Sequence, residues 1–185
     1  MNSREQLIQA LASGLSFKFL FFWGHQPSSD GAITQSCLSQ WFAAPFEAEG
    51  QLFHTAEHYM MAKKAELFGQ PELALQILAV KDPGKAKALG RAVQHFNERT
   101  WQEHRWDIVV AANTHKFSQH PCLKSYLLST GTRILVEASP VDNIWGIGLE
   151  AKSPAAADPS QWNGLNLLGF ALMEVRAALG GGAAV

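Results

Sequence analysis

The sequence predicts an α+β fold in a single compact domain that is predominantly helical with a small β-sheet. Helix-start signals recur along the chain, at Thr55, Asp82-Pro83 and Pro121, and each precedes a segment of helix-forming residues. Few segments, such as 17–23 and 133–137, have the composition or alternation of strands. The 185 residues are 47% hydrophobic and 17% charged, which allows a substantial core, and neither a linker nor an internal repeat divides them.

The N-terminal part of the chain contains two predicted strands. Residues 1–16 are either an N-terminal arm or a short helix, because their pattern fits both. Residues 17–23 are aromatic-rich and precede a polar break, which favours a buried strand. Residues 24–35 are predicted to be a loop, since they are rich in Ser, Asp, Pro and Gly. Glu49-Gly50 marks a bend ahead of a strand-like stretch at 51–53.

Most of the remaining chain is predicted to be helical. Thr55 is a natural N-cap for a helix that runs to Gly69, and Pro71 opens a shorter one. Further helices are predicted over residues 85–95, 101–117, 121–128 and 165–179.

Turn-forming residues separate the elements of the C-terminal part. Gly131 ends one helix, and residues 133–137 alternate like a strand. Residues 155–157 lie between two prolines and are expected in a surface loop, and Asn163-Gly164 marks a turn before the last helix. Residues 180–185 are predicted to be a flexible tail.

Charge and cysteine content limit the classes of function. The formal net charge is −1, so the chain has no polybasic field, and any contact with nucleic acid must be local. Cys37 and Cys122 form no spacing motif, which favours a reducing, cytoplasmic location. The apolar stretch 15–23 is too short to span a bilayer and contains Lys18, so we expect neither a membrane segment nor a signal peptide.

The segment after Thr55 has the strongest chemical pattern. Read as a helix, it places Glu57, Met61 and Lys64 on one stripe, with the carboxylate and the ammonium about 10 Å apart along the axis. A pair so spaced could hold opposite ends of a sugar phosphate. The alternative is an ordinary solvated helix face.

The same segment also fits a metal-binding pattern. His54-x-x-Glu57-His58 matches the H-x-x-E-H motif of inverzincin metallopeptidases, with Glu137 as a conceivable third ligand. Such a site needs both histidines on one helical face. Thr55 as N-cap leaves His54 outside the helix, which disfavours zinc.

A series of short motifs occurs in a fixed order along the chain. It comprises Phe21-Phe22-Trp23, Leu38-Ser39-Gln40-Trp41-Phe42 with Pro45-Phe46, Ala56-Glu57-His58-Tyr59 with Lys64, Gly90-Arg91, Trp101, Asn113 with Lys116-Phe117, Asp142-Asn143-Ile144-Trp145-Gly146-Ile147-Gly148, and Asn166-Leu167-Leu168-Gly169-Phe170-Ala171-Leu172-Met173 with Arg176. This ordered set resembles the YbiA/NADAR family. Gln40 and Ala56 depart from the commoner Asn and Ser of that family.

The resemblance implies a YbiA-like catalytic domain over residues 17–179 that hydrolyses a ribosyl C–N bond. In one branch of the family, the substrates are phosphoribosylated intermediates of riboflavin synthesis. In the other, ADP-ribose is removed from guanine, which brings in a modified nucleic acid as partner. The resemblance implies no cofactor and no metal. A non-catalytic module that binds ADP-ribose or a related nucleotide is the alternative function.

Two carboxylates are candidates for catalysis. Hydrolysis of a ribosyl C–N bond passes through an oxocarbenium-like sugar, which a nearby carboxylate stabilises. Glu57 is the first candidate, because the positive end of a helix dipole favours its ionised form. Asp142, in the Asp-x-x-Trp-Gly element, is the second, with a purely structural Asx turn as its alternative.

Five further residues are candidates for substrate binding. Trp101 and Trp145 have rings that can stack on a base or flank a ribose. Lys64, Arg91 and Lys116 are candidate phosphate ligands. Arg91 has an alternative role as a cation that ends its helix, and a Trp in a domain of this size has an alternative role in the core.

Overall fold

The computed structural model describes residues 1–180. Backbone contacts divide the chain into two compact units. Of the described residues, 1–39 and 122–180 form the first, here named the terminal unit, and residues 40–121 form the second, the central unit. The flexible tail predicted at 180–185 lies, apart from Gly180, outside the described residues.

Helices account for most of the regular structure. The α-helices are α1 (Arg4–Ala12), α2 (Ala56–Leu67), α3 (Pro71–Ala79), α4 (Pro83–Arg91), α5 (Glu98–Gln119), α6 (Pro121–Ser129) and α7 (Leu167–Leu179). The strands are β1 (Phe19–Phe22), β2 (Phe46–Ala48), β3 (Gln51–Phe53) and β4 (Ile134–Glu137). Short 3₁₀ helices span Gln35–Leu38, Pro154–Ala157 and Pro159–Gln161. The predicted α+β class, mostly helical with little sheet, is confirmed, and no helix within residues 1–180 is long and apolar enough to cross a membrane.

Three sequence-based predictions need correction. The helix predicted over 85–95 begins at Pro83 and ends at Arg91, and His95 has a left-handed backbone (φ 55°) that no helix can include. The strand β2 was not predicted, because three residues are too few to show alternation. The loop predicted around residues 155–157 contains two 3₁₀ turns, each preceded by a capping side chain, Ser153 or Asp158.

The terminal unit is built on a parallel strand pair. β1 pairs with β4 in a register from Phe19 opposite Ile134 to Phe22 opposite Glu137. Residues 4–12 form the short helix α1, which resolves the open prediction for the N-terminus. Leu7 of this helix is fully buried, and Arg4 donates a 2.8 Å hydrogen bond to the carbonyl of Trp162.

Asn166 joins β4 to the last helix of the terminal unit. It is fully buried and adopts a left-handed backbone (φ 56°) immediately before α7. Its side-chain amide donates to the carbonyl of Leu135 (2.9 Å) and accepts from the N–H of Glu137 (2.9 Å). Both groups sit in the strand, so one side chain fixes the start of α7 relative to β4.

The central unit packs α2 against α3, α4 and α5. In its β2–β3 hairpin, Phe46 pairs with Phe53, and the two turn residues Glu49 and Gly50 both have positive φ. This is the backbone that a two-residue hairpin turn requires. Tyr59 of α2 donates to Glu49 (3.2 Å), and Lys63 forms an ion pair with the same carboxylate, so α2 anchors the turn.

Replacing Asn166 by alanine is expected to lower the free energy of unfolding by about 2–4 kcal/mol. Two buried hydrogen bonds are lost, and alanine adopts the left-handed backbone conformation less readily than asparagine does. Urea unfolding measures this value. The control is Asn163→Ala, since Asn163 is exposed and makes a single long hydrogen bond to Gly148 (3.3 Å). Equal losses in the two variants would contradict this account of the α7 start.

Candidate active site

The helix α2 begins inside the protein, and its first N–H groups have specific acceptors. The hydroxyl of Thr55 accepts from the N–H of His58 (3.4 Å), which confirms Thr55 as the N-cap. The N–H of Glu57 donates to the carbonyl of Gln40 (3.0 Å). Only 2% of Glu57 is exposed. The carboxylate therefore stands at the positive end of the α2 dipole and largely away from bulk water.

The ring of His58 is fully engaged within the protein. Nε2 lies 3.0 Å from the carbonyl of Val80, which can only accept, so this nitrogen carries the proton. Nδ1 then accepts from the hydroxyl of Thr55 at 2.8 Å. Burial lowers the pKa of His58, which keeps the ring neutral. Neither nitrogen is left for a metal, and His54 precedes the helix, so the structure does not support the zinc alternative.

The side chain of Gln40, whose backbone carbonyl accepts from Glu57, is itself held by a buried hydrogen bond from Asn113. The side-chain nitrogen of Asn113, on α5, donates to Gln40 Oε1 (2.8 Å) and to the carbonyl of Val109 (2.9 Å). Two acceptors on this nitrogen fix the orientation of the Asn113 amide. The sequence motifs contain both amides, but neither was predicted as a site residue. Their pairing spans 73 residues, so no local pattern indicates it.

Lys64 lies two turns after Glu57, between aromatic rings. Its ammonium donates to the carbonyl of Gly90 (3.0 Å) and stands 4.4 Å from the ring centre of Phe96 and 5.6 Å from that of Trp101. Burial lowers the pKa of Lys64, and the charge of Arg91 lowers it further, against the opposing effects of Glu98 and Glu57. The structure therefore brings the predicted residues Glu57, Lys64, Arg91 and Trp101 together in the central unit.

The helices α2 and α5 pack antiparallel, so Glu57 and Lys64 lie near opposite ends of α5. The Glu57 end of α2 lies at Asn113, through Gln40, and the Lys64 end lies at Trp101. Glu57 and Met61 are buried and Lys64 is half-buried, so this stripe is not the solvated face that the sequence left open. Glu57 and Lys64 instead lie about 10 Å apart along the axis of a largely buried helix, and we refer to them as its two poles.

Gly90 permits the close approach of α4 to this stripe. A β-carbon at this position would overlap Met61 Sδ and lie 2.9 Å from Met61 Cβ. The absence of a side chain brings the last turn of α4 against α2, where the carbonyl of Gly90 reaches Lys64. Arg91, the next residue, is exposed at the end of α4, where the helix dipole also favours a cation.

Lys116 lies at the other end of α5 from Trp101, about 22 Å along the helix axis. Its side chain is fully buried, with the ammonium 5.0 Å from the ring centre of Phe117 and 5.7 Å from that of Phe42. The structure thus places Lys116 one turn from Asn113, at the Glu57 pole, and separates it from Lys64 and Arg91.

Asp142 and Trp145 belong to the terminal unit. Asp142 Oδ1 accepts from the N–H groups of Ile144 (2.9 Å) and Trp145 (2.8 Å), so the structural alternative, an Asx turn, is present. The carbonyl of Glu137 accepts from Ile147 (2.9 Å) and holds this turn against the end of β4. Asp142 and Trp145 are both partly exposed there.

Residues 21–180 match the NADAR domain family model. The chain belongs to the NADAR domain family. The match confirms the resemblance inferred from the ordered motifs, and one NADAR domain accounts for nearly all of the described chain.

Relatives of known name place this NADAR protein among the N-glycosidases. It is 43% identical to N-glycosidase R617 of Acanthamoeba polyphaga mimivirus over 164 residues, 86% of this chain and 95% of that protein. It is 37% identical to the chloroplastic riboflavin biosynthesis protein PYRR of Zea mays over 132 residues, 68% of this chain but 19% of that protein.

A solved structure agrees with these alignments. The NMR structure of Escherichia coli YbiA superposes with a TM-score of 0.68 and 26% sequence identity, over 90% of this chain and 87% of that one. The curated YbiA of Escherichia coli is named an N-glycosidase, is 31% identical over 142 residues, and the match covers 77% of this chain and 80% of that protein. The NADAR protein described here is accordingly a hydrolase of N-glycosyl bonds, and the non-catalytic alternative is set aside.

Replacing Asn113 by leucine is expected to lower the free energy of unfolding by about 1–3 kcal/mol, because Gln40 Oε1 loses its buried donor. The double variant Asn113→Leu/Gln40→Met should lose less free energy of unfolding than the sum of the losses in the two single variants. In the double variant, neither partner of the Gln40–Asn113 hydrogen bond is left unpaired. Denaturant unfolding of the three variants measures the coupling. Ser118→Ala, at an exposed position of the same helix, is the control, and strictly additive losses would contradict the pairing.

Proposed function

We propose that this enzyme hydrolyses the bond between C1 of a phosphorylated ribose and a nitrogen of a heterocyclic base, with Glu57 as its central carboxylate. The supporting observation is the two-pole arrangement on α2. A buried carboxylate stands at the helix start, and Lys64 and Arg91 form a cationic pole about 10 Å further along. A ribosyl phosphate presents the matching charges, since its anomeric carbon becomes cationic during cleavage while its phosphate is anionic.

Each pole has a distinct part in the proposed reaction. Glu57 stabilises the developing positive charge on the ribose ring and orients or deprotonates the attacking water. Because its surroundings are poor in water, this stabilisation is stronger than it would be on the surface. Lys64 and Arg91 bind the phosphate, and Trp101 packs beside Lys64 as one wall of that subsite.

The remaining predicted residues have different roles in the proposal. Asp142 is the proposed second carboxylate: Oδ1 fixes its turn, and Oδ2 accepts no hydrogen bond from the residues described. Trp145, held by the same turn, is the proposed partner ring for the base. Complete burial favours a positioning role for Lys116 at the Glu57 pole over direct contact with a phosphate.

The proposed substrate is a phosphoribosylated pyrimidine of the kind formed early in riboflavin synthesis. The name of the maize relative supports this choice. The net charge of −1 offers no extended basic surface for a nucleic acid. ADP-ribosylated guanine remains the second candidate, because a modified base held in a small pocket needs no such surface.

Glu57→Gln is expected to reduce kcat by about 100-fold or more, because the amide keeps the size of the side chain but removes its charge. Release of ribose phosphate from the riboflavin intermediate, and of ADP-ribose from modified DNA, would be assayed separately. Glu66→Gln changes an exposed carboxylate of the same helix and should retain activity. Wild-type turnover by Glu57→Gln on both substrates would exclude Glu57 as the central carboxylate.

The alkaline side of the pH profile tests Lys64. Its pKa lies below the ordinary value of 10.5, so the ammonium loses its proton at a lower pH than a surface lysine does. KM for the phosphorylated substrate should therefore rise at a lower pH than the titration of a surface lysine would produce, with kcat less affected. Lys64→Arg should show no such rise, because guanidinium stays charged. Parallel profiles for the two enzymes would rule out a phosphate contact by Lys64.

A further inference from the structure

Asn113 carries a buried hydrogen-bond acceptor that no donor of the described chain satisfies. The residue is completely buried in the central unit, and nothing within residues 1–180 donates to its Oδ1. The amide cannot turn to exchange its ends, because Nδ2 donates to Gln40 Oε1 (2.8 Å) and to the carbonyl of Val109 (2.9 Å). Burying an acceptor without a donor costs free energy, and the few such atoms in native proteins commonly mark a catalytic group or a bound water.

This acceptor belongs to the surroundings of the first turn of α2, where Glu57 stands. Gln40 contacts both sides: its carbonyl accepts from the N–H of Glu57 (3.0 Å), and its side-chain oxygen accepts from Asn113. The side-chain nitrogen of Gln40 lies 3.9 Å from the sulfur of Met60, which is one turn after Glu57. One residue thus joins the Asn113 amide to the helix start that carries the Glu57 carboxylate, and all four residues lie in the central unit.

A water molecule is the donor that suits this acceptor. Because Asn113 is completely buried, a bulky group of a ligand is excluded, whereas a water molecule fits where polar atoms converge. A water held between Oδ1 and the Glu57 carboxylate donates one hydrogen to each, which directs its lone pairs away from both. Glu57 alone would leave the second hydrogen unbound and the orientation of this water free.

We propose that Asn113 is a further catalytic residue, which accepts the second hydrogen of the attacking water while Glu57 accepts the first. The assignment rests on the proposed function. The water oxygen bonds to C1 of the ribose, and one proton passes to Glu57. The C1–N electron pair leaves with the base nitrogen, which takes up a proton. The second hydrogen stays on the new C1 hydroxyl, bound to Asn113 Oδ1, so one water is consumed and no oxidant or reductant is required.

Competition between water and methanol tests the role of this second hydrogen. Methanol has a single O–H, which Glu57 can accept, and no further hydrogen to donate to Asn113. With the phosphoribosylated pyrimidine as substrate in mixed water and methanol, the wild type should form the methyl riboside in less than the molar share of methanol. Removing Oδ1 should raise the ratio of methyl riboside to free sugar by about three- to tenfold, the equivalent of one hydrogen bond.

The double variant Asn113→Leu/Gln40→Met removes Oδ1 without leaving Gln40 unpaired, which separates loss of this acceptor from loss of stability. It should show the raised methyl riboside ratio and a kcat lower by about 10–100-fold, with KM little changed. Gln40→Met alone retains Oδ1 and should keep the product ratio of the wild type. Ser118→Ala, an exposed change on the same helix, is the matched control for activity.

Either of two results would overturn the assignment. The first is a double variant that is folded, as thermal unfolding checks, and that divides between water and methanol like the wild type. The second needs no variant, because it is methyl riboside formed by the wild type in full proportion to methanol. If the double variant does not fold, this measurement and Asn113→Asp decide the outcome. The aspartate keeps an acceptor oxygen, so loss of the preference for water in that variant would also contradict the assignment.

The result is separable from the proposed function. If Glu57→Gln abolishes turnover while the variants without Oδ1 divide between water and methanol normally, the role of Asn113 is wrong and the proposed function stands. If Glu57→Gln turns over at the wild-type rate, the proposed function itself fails, whatever the product ratio.

Discussion

The hydrogen bond from the N–H of Glu57 to the carbonyl of Gln40 is the interaction on which the candidate active site depends. Because α2 starts inside the protein, each of its first N–H donors needs an acceptor there, and water cannot supply one. Thr55 and Gln40 meet this need, and Asn113 in turn holds Gln40. The same constraint places the Glu57 side chain at the positive end of a helix dipole, which favours an anion.

The rest of the central unit arranges charge along α2. Gly90 lets α4 approach closely enough for the Gly90 carbonyl to accept from Lys64, and the rings of Phe96 and Trp101 lie near the ammonium. A negative and a positive pole thus lie on one rigid helix, at a spacing that its geometry fixes. In the terminal unit, the end of β4 has a comparable role, because it binds the side chain of Asn166 and holds the Asp142 turn.

Local signals made much of this architecture predictable. Thr55, the Asp82-Pro83 pair and Gly131 act within one turn of the chain, and the structure confirms all three as helix boundaries. The reaction class was predictable from the ordered motifs. What the sequence could not show depends on partners distant in the chain: the pairing of Gln40 with Asn113, and the complete burial of Lys116. The roles assigned to Glu57, Asp142 and the substrate-binding residues stay predictions, as does the cytoplasmic location.

The most direct test of the central claim follows the anomeric carbon itself. A phosphoribosylated substrate labelled with ¹³C at C1 of the ribose, monitored by NMR during turnover, reports which bond the enzyme breaks. The account predicts that the C1 resonance changes from the chemical shift of an N-glycoside to that of the free sugar hemiacetal. In the Glu57→Gln variant, this conversion should be lost. A C1 resonance that stays N-glycosidic while the substrate is consumed would contradict it.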